Sequence, residues 1–597
     1  MKMTSAEKLA ALRCLMAEQK IDIYIIPTAD YHQSEYVGDY FKEREFLTGF
    51  TGSAGTAVVT ALEARLWTDG RYFIQAEEQL KDSEFQLMKT GEPGVPSITE
   101  YVQETLPEHG IIGFDGRTAS INTGKQFEEI SCKKGGSIVY GYDLIDSVWT
   151  DRPALSKNPV FALDIRYTGE ESASKLERVR TEMKNHDADA LLITGLDDIG
   201  WLLNIRGQDV DYFPLLLSYA VIRESEVELY ADRKKFSEEI LDKFQKNNVS
   251  VKPYNDIYNR IKILDKGSTL MIDPQQVNYS LFRSIPADVT IVEAENPVIL
   301  MKAVKNSTET ENIRKAHIKD GVAHTRFMYW LKTNIGKLPM TEISVSEKLE
   351  EFRKEQSHYM WPSFDPISAY KEHAAIVHYS AVPESNAVLH PSGMFLTDTG
   401  GHYLEGSTDI TRTVALGPVT QDEINHFTTV AVSMLRLADT KFLYGCTGMN
   451  LDCIAREPFW KLNLNYNHGT GHGVGYLGNI HEPPARFHWK YSPSNTQALE
   501  ENMVITDEPG LYFAGSHGIR IENELLVRKG TENEYGRFMY FEMLTFVPID
   551  LDLINPELME PGDKRLLNEY HHAVYEKISP YLSAEEQKWL KYYTREI

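Results

Sequence analysis

The chain has 597 residues, too many for one hydrophobic core, and its length predicts about three to five domains. Apolar residues make up 42% and aromatic residues 11% of the chain, as in an ordinary globular protein. Against 87 Asp and Glu there are only 62 Lys and Arg, and the resulting net charge of −25 disfavours nucleic acid and anionic membranes as main partners.

The N-terminal segment predicts an amphipathic helix and no export signal. Thr4 and Glu7 form the pattern of a capping box. The apolar residues behind it share one helical face: Leu9, Leu12, Leu15 and Met16. Charged residues interrupt every apolar run before residue 27, and no later run reaches the roughly 20 residues that a membrane span needs. With four cysteines and no C-x-x-C pair, we expect a cytoplasmic protein with reduced thiols.

The first half contains a faint internal repeat of a helix followed by an apolar strand. One copy has a strand at residues 21–27 and an extended stretch at 66–69. The other has a helix at 176–186, a strand at 190–194 and an extended stretch at 227–232. Helices that alternate with apolar strands are typical of α/β layers, so two α/β domains are predicted.

Two boundaries divide the chain. A proline-punctuated linker lies at residues 148–158, and a second boundary lies near 294–307, where Ser307 or Thr308 can cap a long helix. The predicted domains are residues 1–155, 156–300 and 301–597, the last with a C-terminal extension at about 537–597. Within the third domain, residues 377–527 are strand-rich and carry nearly all the candidate histidines and carboxylates. The helical periodicity of the last 60 residues is explained by core packing.

Two aspartates are the first candidate metal ligands. Asp398 and Asp409 lie in segments that predict two strands joined by a glycine-containing turn, which would bring them together on adjacent strands. Because aspartate is disfavoured inside strands, a compensating cation would explain the pair. Two loop carboxylates that face water are the alternative, and for this pair alone the alternative is preferred.

A glycine-rich segment supplies three histidines. His468, His472 and His481 lie within 14 residues, on a predicted strand whose alternating glycines forbid a stable helix. Glycine lets the backbone pass close to a bound ion or ligand. The segment matches neither a helical H-E-x-x-H zinc site nor a G-x-G-x-x-G loop. A tight turn with hydrogen-bonded imidazoles is the alternative.

Two glutamates accompany the next apolar strands. Glu508 precedes a Pro-Gly pair, and Glu522 shares a predicted strand face with Arg520 because Ile519 and Ile521 alternate with them. An ordinary surface strand would give the same pattern, so for this piece the two interpretations have even weight.

Together these groups predict a site for two divalent ions. The candidate ligands are Asp398, Asp409, His472, Glu508 and Glu522. Four converging carboxylates cannot all stay ionised in a cleft without cations, and two divalent ions would balance their charge. Oxygen-rich ligation with one nitrogen suits Mn²⁺, Co²⁺ or similar ions better than a tetrahedral or thiolate zinc site. We expect Mn²⁺, with Co²⁺ or Zn²⁺ as alternatives. Paired ions can activate a water and stabilise an oxyanion.

The order of these residues resembles that of the pita-bread metallopeptidases. Residues 47–56 and 67–72, with His378-Tyr379, resemble segments of the long three-domain form of the Xaa-Pro aminopeptidase (aminopeptidase P) family. The resemblance implies an α/β (α+β) fold, with two creatinase-N-like α/β domains before a pita-bread catalytic domain. It implies hydrolysis of the N-terminal Xaa-Pro bond of peptides with proline second, by attack of a hydroxide that bridges two metals.

The resemblance also implies roles for the metal ligands. Asp398 would bind one metal, and Asp409 and Glu522 would bridge the pair. His472 and Glu508 would bind the other metal, and Glu508 would act in catalysis by taking a proton from the attacking water.

Further residues are implied to act on the substrate. His378 and His481 would hydrogen-bond the scissile carbonyl and its oxyanion, and His468 would line the proline pocket. Arg520 and Tyr512 would orient ligands and manage protons beside the substrate. The family also implies a homodimer formed through the catalytic domain.

Two other functions are compatible with this pattern. A non-catalytic peptide-binding protein on the same scaffold would tend to have lost the ligands that are present here. Prolidase-like cleavage of Xaa-Pro dipeptides uses the same chemistry, but the three-domain length favours an aminopeptidase.

Overall fold

The computed structural model describes residues 3–492 and 496–597 and forms two compact units. The first unit comprises Met1–Leu163 and Glu170–Val298, and the second comprises Asp164–Gly169 and Ile299–Ile597. Within the described part of the chain, no helix is long and apolar enough to cross a membrane. The four cysteines are free thiols.

The first unit begins with a six-stranded mixed sheet covered by helices. Its strands are β1 (Ile23–Pro27), β2 (Thr56–Thr60), β3 (Ala64–Thr68), β4 (Gln86–Lys89), β5 (Ile111–Phe114) and β6 (Ser137–Val139), in the order β4-β3-β2-β1-β5-β6. Its helices are α1 (Ser5–Glu18), α2 (Glu43–Thr48), α3 (Phe73–Gln79), α4 (Ile98–Thr105), α5 (Ile121–Lys133) and α6 (Leu144–Val148). Helix α1 has the predicted capping box between Thr4 and Glu7, which satisfies its first backbone N–H groups.

The next segment builds a second six-stranded sheet. Its strands β8 (Ala190–Ile193), β10 (Tyr219–Arg223), β11 (Val227–Tyr230), β12 (Val249–Lys252), β13 (Thr269–Ile272) and β14 (Thr290–Glu293) take the order β12-β11-β10-β8-β13-β14, while β7 (Phe161–Ala162) pairs with β9 (Ile205–Arg206). Its helices are α8 (Ser172–Asn185), α9 (Leu196–Leu202), α10 (Glu238–Lys246), α11 (Ile257–Ile261) and α12 (Tyr279–Arg283), while α7 (Ile165–Thr168) belongs to the second unit.

The two sheets share one topology, which confirms the repeat suggested by the sequence. From one edge to the other, the neighbouring strands in both sheets pair parallel, antiparallel, antiparallel, parallel and parallel. Parallel neighbours need long crossovers, which explains why helices separate them in each copy.

The second unit contains the strand-rich region. Its strands are β15 (Tyr359–Pro362), β16 (Ile367–Tyr370), β17 (Met394–Thr399), β18 (Gly401–Tyr403), β19 (Gly406–Ser407), β20 (Ile410–Ala415), β21 (Phe442–Leu443), β22 (Gly471–Gly473), β23 (Glu482–Phe487), β24 (Val504–Asp507), β25 (Gly510–Phe513), β26 (His517–Arg520), β27 (Asn523–Asn533) and β28 (Gly536–Met543). They form the sheets β15-β18-β19, β16-β17-β20 and β21-β28-β27-β24-β22-β23 and the hairpin β25-β26.

Long helices accompany these sheets. They are α13 (Pro297–Ala303), α14 (Ser307–Asn334), α15 (Glu342–Lys354), α16 (Gln421–Ala438), α17 (Gly448–Trp460), α18 (Pro561–Ile578) and α19 (Ala584–Tyr593). The apolar stripe of the last 60 residues is core, as predicted, since Leu567, Val574, Ile578 and Leu590 are fully buried.

The start of α14 differs from the prediction. Asn306, and not Ser307 or Thr308, is the N-cap, and it exchanges capping-box hydrogen bonds with Glu309. Asparagine caps as well as serine, and Glu309 lies three positions after Asn306, so the reciprocal capping-box pair can form there. Thr308 has Glu311 at the same spacing, but the structure places Thr308 inside the first turn of the helix.

The connection between the two aspartate strands also differs from the prediction. Strands β17 and β20 are antiparallel neighbours, as expected, but β18 and β19 form a small hairpin between them in place of a simple turn. That hairpin joins β15 in a separate sheet, so the polar stretch after Gly400 makes its own strand pairing.

Candidate metal centre

The two aspartates meet at the end of a strand pair. Asp398 lies in β17 opposite Thr411, and Asp409 directly precedes β20. Both carboxylates are buried, at 8% and 5% exposure, which argues against two loop groups that face water. Because Thr399 pairs with Ile410, the strand register brings the two aspartates to the same end of the pair.

His472 enters the same site from β22. Its ring Nε2 lies 3.6 Å from Asp409 Oδ2 and 3.6 Å from Glu508 Oε1. Its Nδ1 lies 2.9 Å from the carbonyl of Gly473, which makes Nδ1 the protonated nitrogen and leaves the Nε2 lone pair directed at the carboxylates. Only His472 of the three predicted histidines is in β22, since His468 precedes that strand and His481 precedes β23.

The glycines around His472 allow close strand packing. A Cβ at Gly471 would lie 1.9 Å from the carbonyl oxygen of Thr506, and one at Gly473 would lie 2.2 Å from that of Glu482. Both close approaches are to backbone atoms of neighbouring strands. Only glycine at these two positions therefore lets the strand that carries His472 pack this closely in the sheet.

Glu508 and Glu522 complete the cluster from two strand junctions. Glu508 follows β24, and Glu522 lies between β26 and β27. Glu522 is 1% exposed and accepts a 2.7 Å hydrogen bond from the Thr411 hydroxyl, so an ordinary surface strand is excluded for this segment. Ligand atoms of Asp409, His472 and Glu522 all lie within 4.8 Å of one another.

The clustered carboxylates disfavour one another's ionised forms. Burial, with the charges of Asp398 and Glu508, raises the pKa of Asp409 well above its usual range. Burial and the Asp409 carboxylate do the same to the pKa of Glu522. Burial and Asp398 raise the pKa of Glu508 to about 7, against the lowering effect of Arg520. Positive charge in the middle of the cluster would restore the ionised forms.

A directed hydrogen-bond chain runs away from Asp398. Arg520 Nη2 donates to Asp398 Oδ2 at 2.5 Å, and Arg520 Nη1 donates to the Tyr512 hydroxyl at 2.7 Å. The Tyr512 hydroxyl lies 2.9 Å from His468 Nε2, and His468 Nδ1 lies 2.7 Å from the Gly469 carbonyl. The carbonyl fixes a proton on Nδ1 of His468, so Tyr512 is the donor to Nε2.

The two remaining predicted histidines flank the cluster. The His481 ring contacts the His472 ring with centroids 4.2 Å apart, and its charge acts on Glu508. His378 follows Val377, whose carbonyl accepts a 3.3 Å hydrogen bond from Arg520. All the predicted site residues therefore belong to one region of the second unit.

Glu524 and His317 are buried groups beneath the cluster that sequence reasoning did not identify. Glu524 Oε1 accepts a 2.6 Å hydrogen bond from the backbone N–H of Asp409 and lies 3.2 Å from His317 Nε2. The spacing of Glu524, two residues after Glu522, was the available signal. His317 lies on α14, far away in sequence, and has no such signal.

The donor set fits divalent cations. Asp398 Oδ1 is buried without a hydrogen-bond partner in the described residues, although its other oxygen is held by Arg520. His472 presents an imidazole lone pair, and the carboxylates need compensating positive charge. Unsatisfied oxygens and a fixed histidine tautomer are the features of a prepared ligand set.

Comparison with protein families agrees with this geometry. Residues 8–143 match the Creatinase/Prolidase N-terminal domain, and residues 151–309 match a second family with the same description. Residues 311–529 match Metallopeptidase family M24, and residues 537–597 match the C-terminal region of peptidase_M24.

Relatives that match nearly the whole chain identify the family more closely. Aminopeptidase P2 of Arabidopsis thaliana is 36% identical over 630 residues, covering 99% of this chain and 88% of the relative. Xaa-Pro aminopeptidase 1 of Dictyostelium discoideum is 36% identical over 609 residues, covering 99% and 96%. The chain belongs to the Xaa-Pro aminopeptidase family. It is a hydrolase of the metallo-exopeptidase class, with creatinase-like N-terminal domains and a pita-bread M24 domain.

A solved structure of the Xaa-Pro aminopeptidase family has the same architecture. X-prolyl aminopeptidase from Caenorhabditis elegans superposes with a TM-score of 0.95 at 35% identity and covers 100% of both chains. That enzyme is described as a cytosolic enzyme with a di-nuclear active site.

Proposed function

We propose that this chain removes the first residue from peptides whose second residue is proline. The observation that carries the proposal is the convergence of Asp409, His472 and Glu522 ligand atoms within 4.8 Å, in a protein of this family. Asp398 and Glu508 border the same cluster: Glu508 Oε1 lies 3.6 Å from His472 Nε2, and the strand register brings Asp398 to the same end of its strand pair as Asp409.

The proposed site holds two divalent ions, with Mn²⁺ as the proposed metal. Asp398 would bind one ion, His472 and Glu508 the other, and Asp409 and Glu522 would bridge them. When bound, such ions lower the pKa of a water so that it becomes a nucleophile, and they balance the charge of the transition state. Hard carboxylate oxygens with one imidazole suit Mn²⁺, while Co²⁺ and Zn²⁺ accept the same donors.

The chain's own groups would handle protons and the substrate carbonyl. Glu508, which lies beside His472 and would be ionised next to bound cations, is suited to take a proton from the attacking water. His378 and His481 would donate to the carbonyl oxygen as it gains negative charge. Arg520 holds Asp398 and Tyr512 in place, and Tyr512 stays protonated because burial raises its pKa to about 12.

Proline selection would follow from the tertiary amide. An Xaa-Pro bond offers no N–H, and the ring fixes φ, so a site shaped for the ring would accept proline without having to satisfy an amide proton. His468, fixed between Tyr512 and the Gly469 carbonyl, would line that pocket. The free amino terminus would bind near the metals or an acidic group.

Peptide length and terminal charge test this assignment. We expect Mn²⁺-dependent release of the first residue from an Xaa-Pro-Xaa tripeptide, little turnover of an Xaa-Pro dipeptide and little turnover of an N-acetylated peptide. Asp409→Ala and His472→Ala should abolish turnover. A preference for the dipeptide would indicate prolidase activity, and full turnover by both variants would overturn the site.

The domain division and the cellular location are also proposed. Domains at residues 1–155, 156–300 and 301–597, the last with its extension at about 537–597, agree with the two repeated sheets and the four matched families. A cytosolic location would match the nematode enzyme.

An exposed aromatic patch in the catalytic domain supports a homodimer. Trp460 and Trp489 are 43% and 41% exposed and contact each other edge to face, and Tyr491, which follows closely after Trp489 in sequence, is 72% exposed. Large exposed apolar patches mark interaction sites. Light scattering should give a dimer for the full chain and a monomer for a Trp460→Glu/Trp489→Glu variant.

A further inference from the structure

One buried carboxylate organises the segment that carries His378. We define the His378 segment as residues 370–387. After a short 3₁₀ turn at Lys371–Ala375, residues 376–387 form neither helix nor strand. Backbone pairing within such a segment is sparse, so side chains must fix its path.

Glu342 supplies that fixation through both carboxylate oxygens. Its Oε1 accepts hydrogen bonds from the Tyr370 backbone N–H at 2.7 Å and from His373 Nδ1 at 2.8 Å. Its Oε2 accepts from the Tyr379 hydroxyl at 2.9 Å and from the Ala387 backbone N–H at 2.9 Å. One side chain therefore holds both ends and the middle of the segment.

The environment of Glu342 offers hydrogen-bond donors to both of its carboxylate oxygens. The residue is fully buried, and burying a carboxylate is costly unless hydrogen bonds compensate for the lost water. Four donors face it, and it is the first residue of α15, where the positive end of the helix dipole favours negative charge. An ionised carboxylate can accept all four bonds, whereas an amide cannot.

His378 is thereby fixed on both sides along the chain. The preceding residue, Val377, accepts a hydrogen bond from Arg520 in the metal centre. The following residue, Tyr379, is bonded to Glu342 and to the Ser385 hydroxyl at 2.9 Å. The His373 ring also stacks on Tyr379 with centroids 4.6 Å apart.

We propose that Glu342 is a positioning residue for His378 and sets the distance from that imidazole to the scissile carbonyl. The inference rests on the proposed function, in which His378 donates to the carbonyl oxygen. A displacement of about 1 Å in a catalytic group can cost roughly 100-fold in rate. The four hydrogen bonds that Glu342 accepts, which we call the Glu342 clasp, can therefore control turnover although Glu342 does not touch the reacting atoms.

A double-mutant cycle tests the proposal with Glu342→Gln and His378→Ala in the Mn²⁺-loaded full chain. Glu342→Gln places an NH₂ group against two of the four donors, and we expect kcat/KM for an Xaa-Pro-Xaa peptide to fall roughly 10- to 100-fold. In the His378→Ala background the same change should have almost no further effect, because its target is gone. Glu347→Gln, the same change at an exposed position on α15, is the matched control.

Hydrogen exchange reports the clasp without using activity. The Tyr370 and Ala387 amides, which donate to Glu342, should exchange faster in Glu342→Gln than in wild type or Glu347→Gln. If Glu342→Gln does not fold, Tyr379→Phe removes one bond of the clasp and enters the same cycle, with a smaller expected loss.

The outcomes separate this proposal from the function on which it rests. Full activity in His378→Ala would overturn the substrate role of His378 and the positioning role with it. If His378→Ala lowers kcat/KM but the losses of the two single variants simply add in the double variant, the positioning role alone would be overturned. A normal kcat/KM in folded Glu342→Gln would do the same.

Discussion

Asp409 shows how the contribution of a buried carboxylate to folding stability depends on its surroundings. It is buried among Asp398, Glu508 and Glu524, and these neighbours and burial raise its pKa. Without cations the cluster therefore works against folding, because buried like charges repel in a medium that screens them poorly. With divalent cations bound as proposed, the same oxygens would become ligands, and the destabilising group would become a stabilising one.

Asp409→Asn should therefore have opposite effects on stability in the two states. The metal-free variant should be more stable than metal-free wild type by on the order of 1–3 kcal/mol, because folding no longer has to bury or protonate a carboxylate that is ionised in the unfolded chain. The Mn²⁺-treated variant should bind fewer ions and be less stable than Mn²⁺-treated wild type. Chemical denaturation with and without Mn²⁺, together with titration calorimetry, measures both. Asp422→Asn, at an exposed position, is the control and should change neither.

The pKa of Glu508 predicts a pH dependence of metal binding. Its pKa is raised from 4.5 to about 7 in the fold, so the proton stabilises the metal-free protein below pH 4.5 and this contribution is lost as the pH rises through 7. Metal must displace that proton, so Mn²⁺ affinity should weaken as the pH falls from 8 to 6, by up to roughly tenfold per unit for one coupled proton.

Calorimetric titrations at several pH values check the sign. The metal-free protein should also melt higher at pH 6 than at pH 8, and Glu508→Gln should reduce this difference. A Mn²⁺ affinity that does not change between pH 6 and 8 would contradict the assignment of Glu508 as a ligand that titrates near neutrality.

Individual site residues were predictable from the sequence only where their local spacing indicated the chemistry. The candidate ligands and histidines lie in short segments with recognisable neighbours, so they could be named, and the structure brings them together. Glu342 and His317 act through contacts from distant helices. Nothing beside them in sequence distinguishes them from other helical residues, so only tertiary structure identifies them.

At the scale of elements, types were predictable and termini were not. The strands near residues 21–27 and 190–194 and the N-terminal helix were found from periodicity and capping. The hairpin between the aspartate strands was missed because a pairing of two or three residues leaves almost no period to detect. The glycines near His472 were expected to let the backbone approach an ion or ligand, and the structure adds that they let neighbouring strands pack closely.

The N-cap of α14 gives an element-scale prediction. Asn306→Ala should lower the free energy of unfolding by about 1 kcal/mol or more, because it removes the cap on the Glu309 N–H and also a 2.8 Å hydrogen bond to the Thr168 carbonyl. Ser307→Ala, at one of the two positions that the sequence predicted as the cap, should change the free energy of unfolding by less than about 0.5 kcal/mol. Denaturant unfolding of both variants compares the two positions, and a larger loss for Ser307→Ala would show that the cap is misassigned.

At the scale of the whole molecule, the repeat and the catalytic region were predictable to different degrees. Helix–strand alternation gave two α/β domains, but the shared order of strands within their sheets depends on long-range pairing that a single sequence does not show. The division into two compact units also separates chemistry from the repeat, since every candidate ligand lies in the second unit.

Metal binding should therefore slow amide hydrogen exchange in the second unit more than in the first. A ligand that binds only the folded state stabilises it by RT ln(1 + [L]/Kd), or about 4 kcal/mol at a thousandfold excess over Kd. The proposed ligands lie on β17 and β22, directly before β20 and at the junctions after β24 and before β27. The amides of those strands should therefore exchange more slowly when Mn²⁺ is added. Amides of β1 and β8, in the first unit, should keep their metal-free rates. Hydrogen exchange of the full chain with and without Mn²⁺ measures this, with Asp409→Asn as the control that should lose the effect. Equal protection of both units would show that metal binding stabilises the chain as one cooperative body, and protection confined to β1 and β8 would place the ions outside the proposed centre.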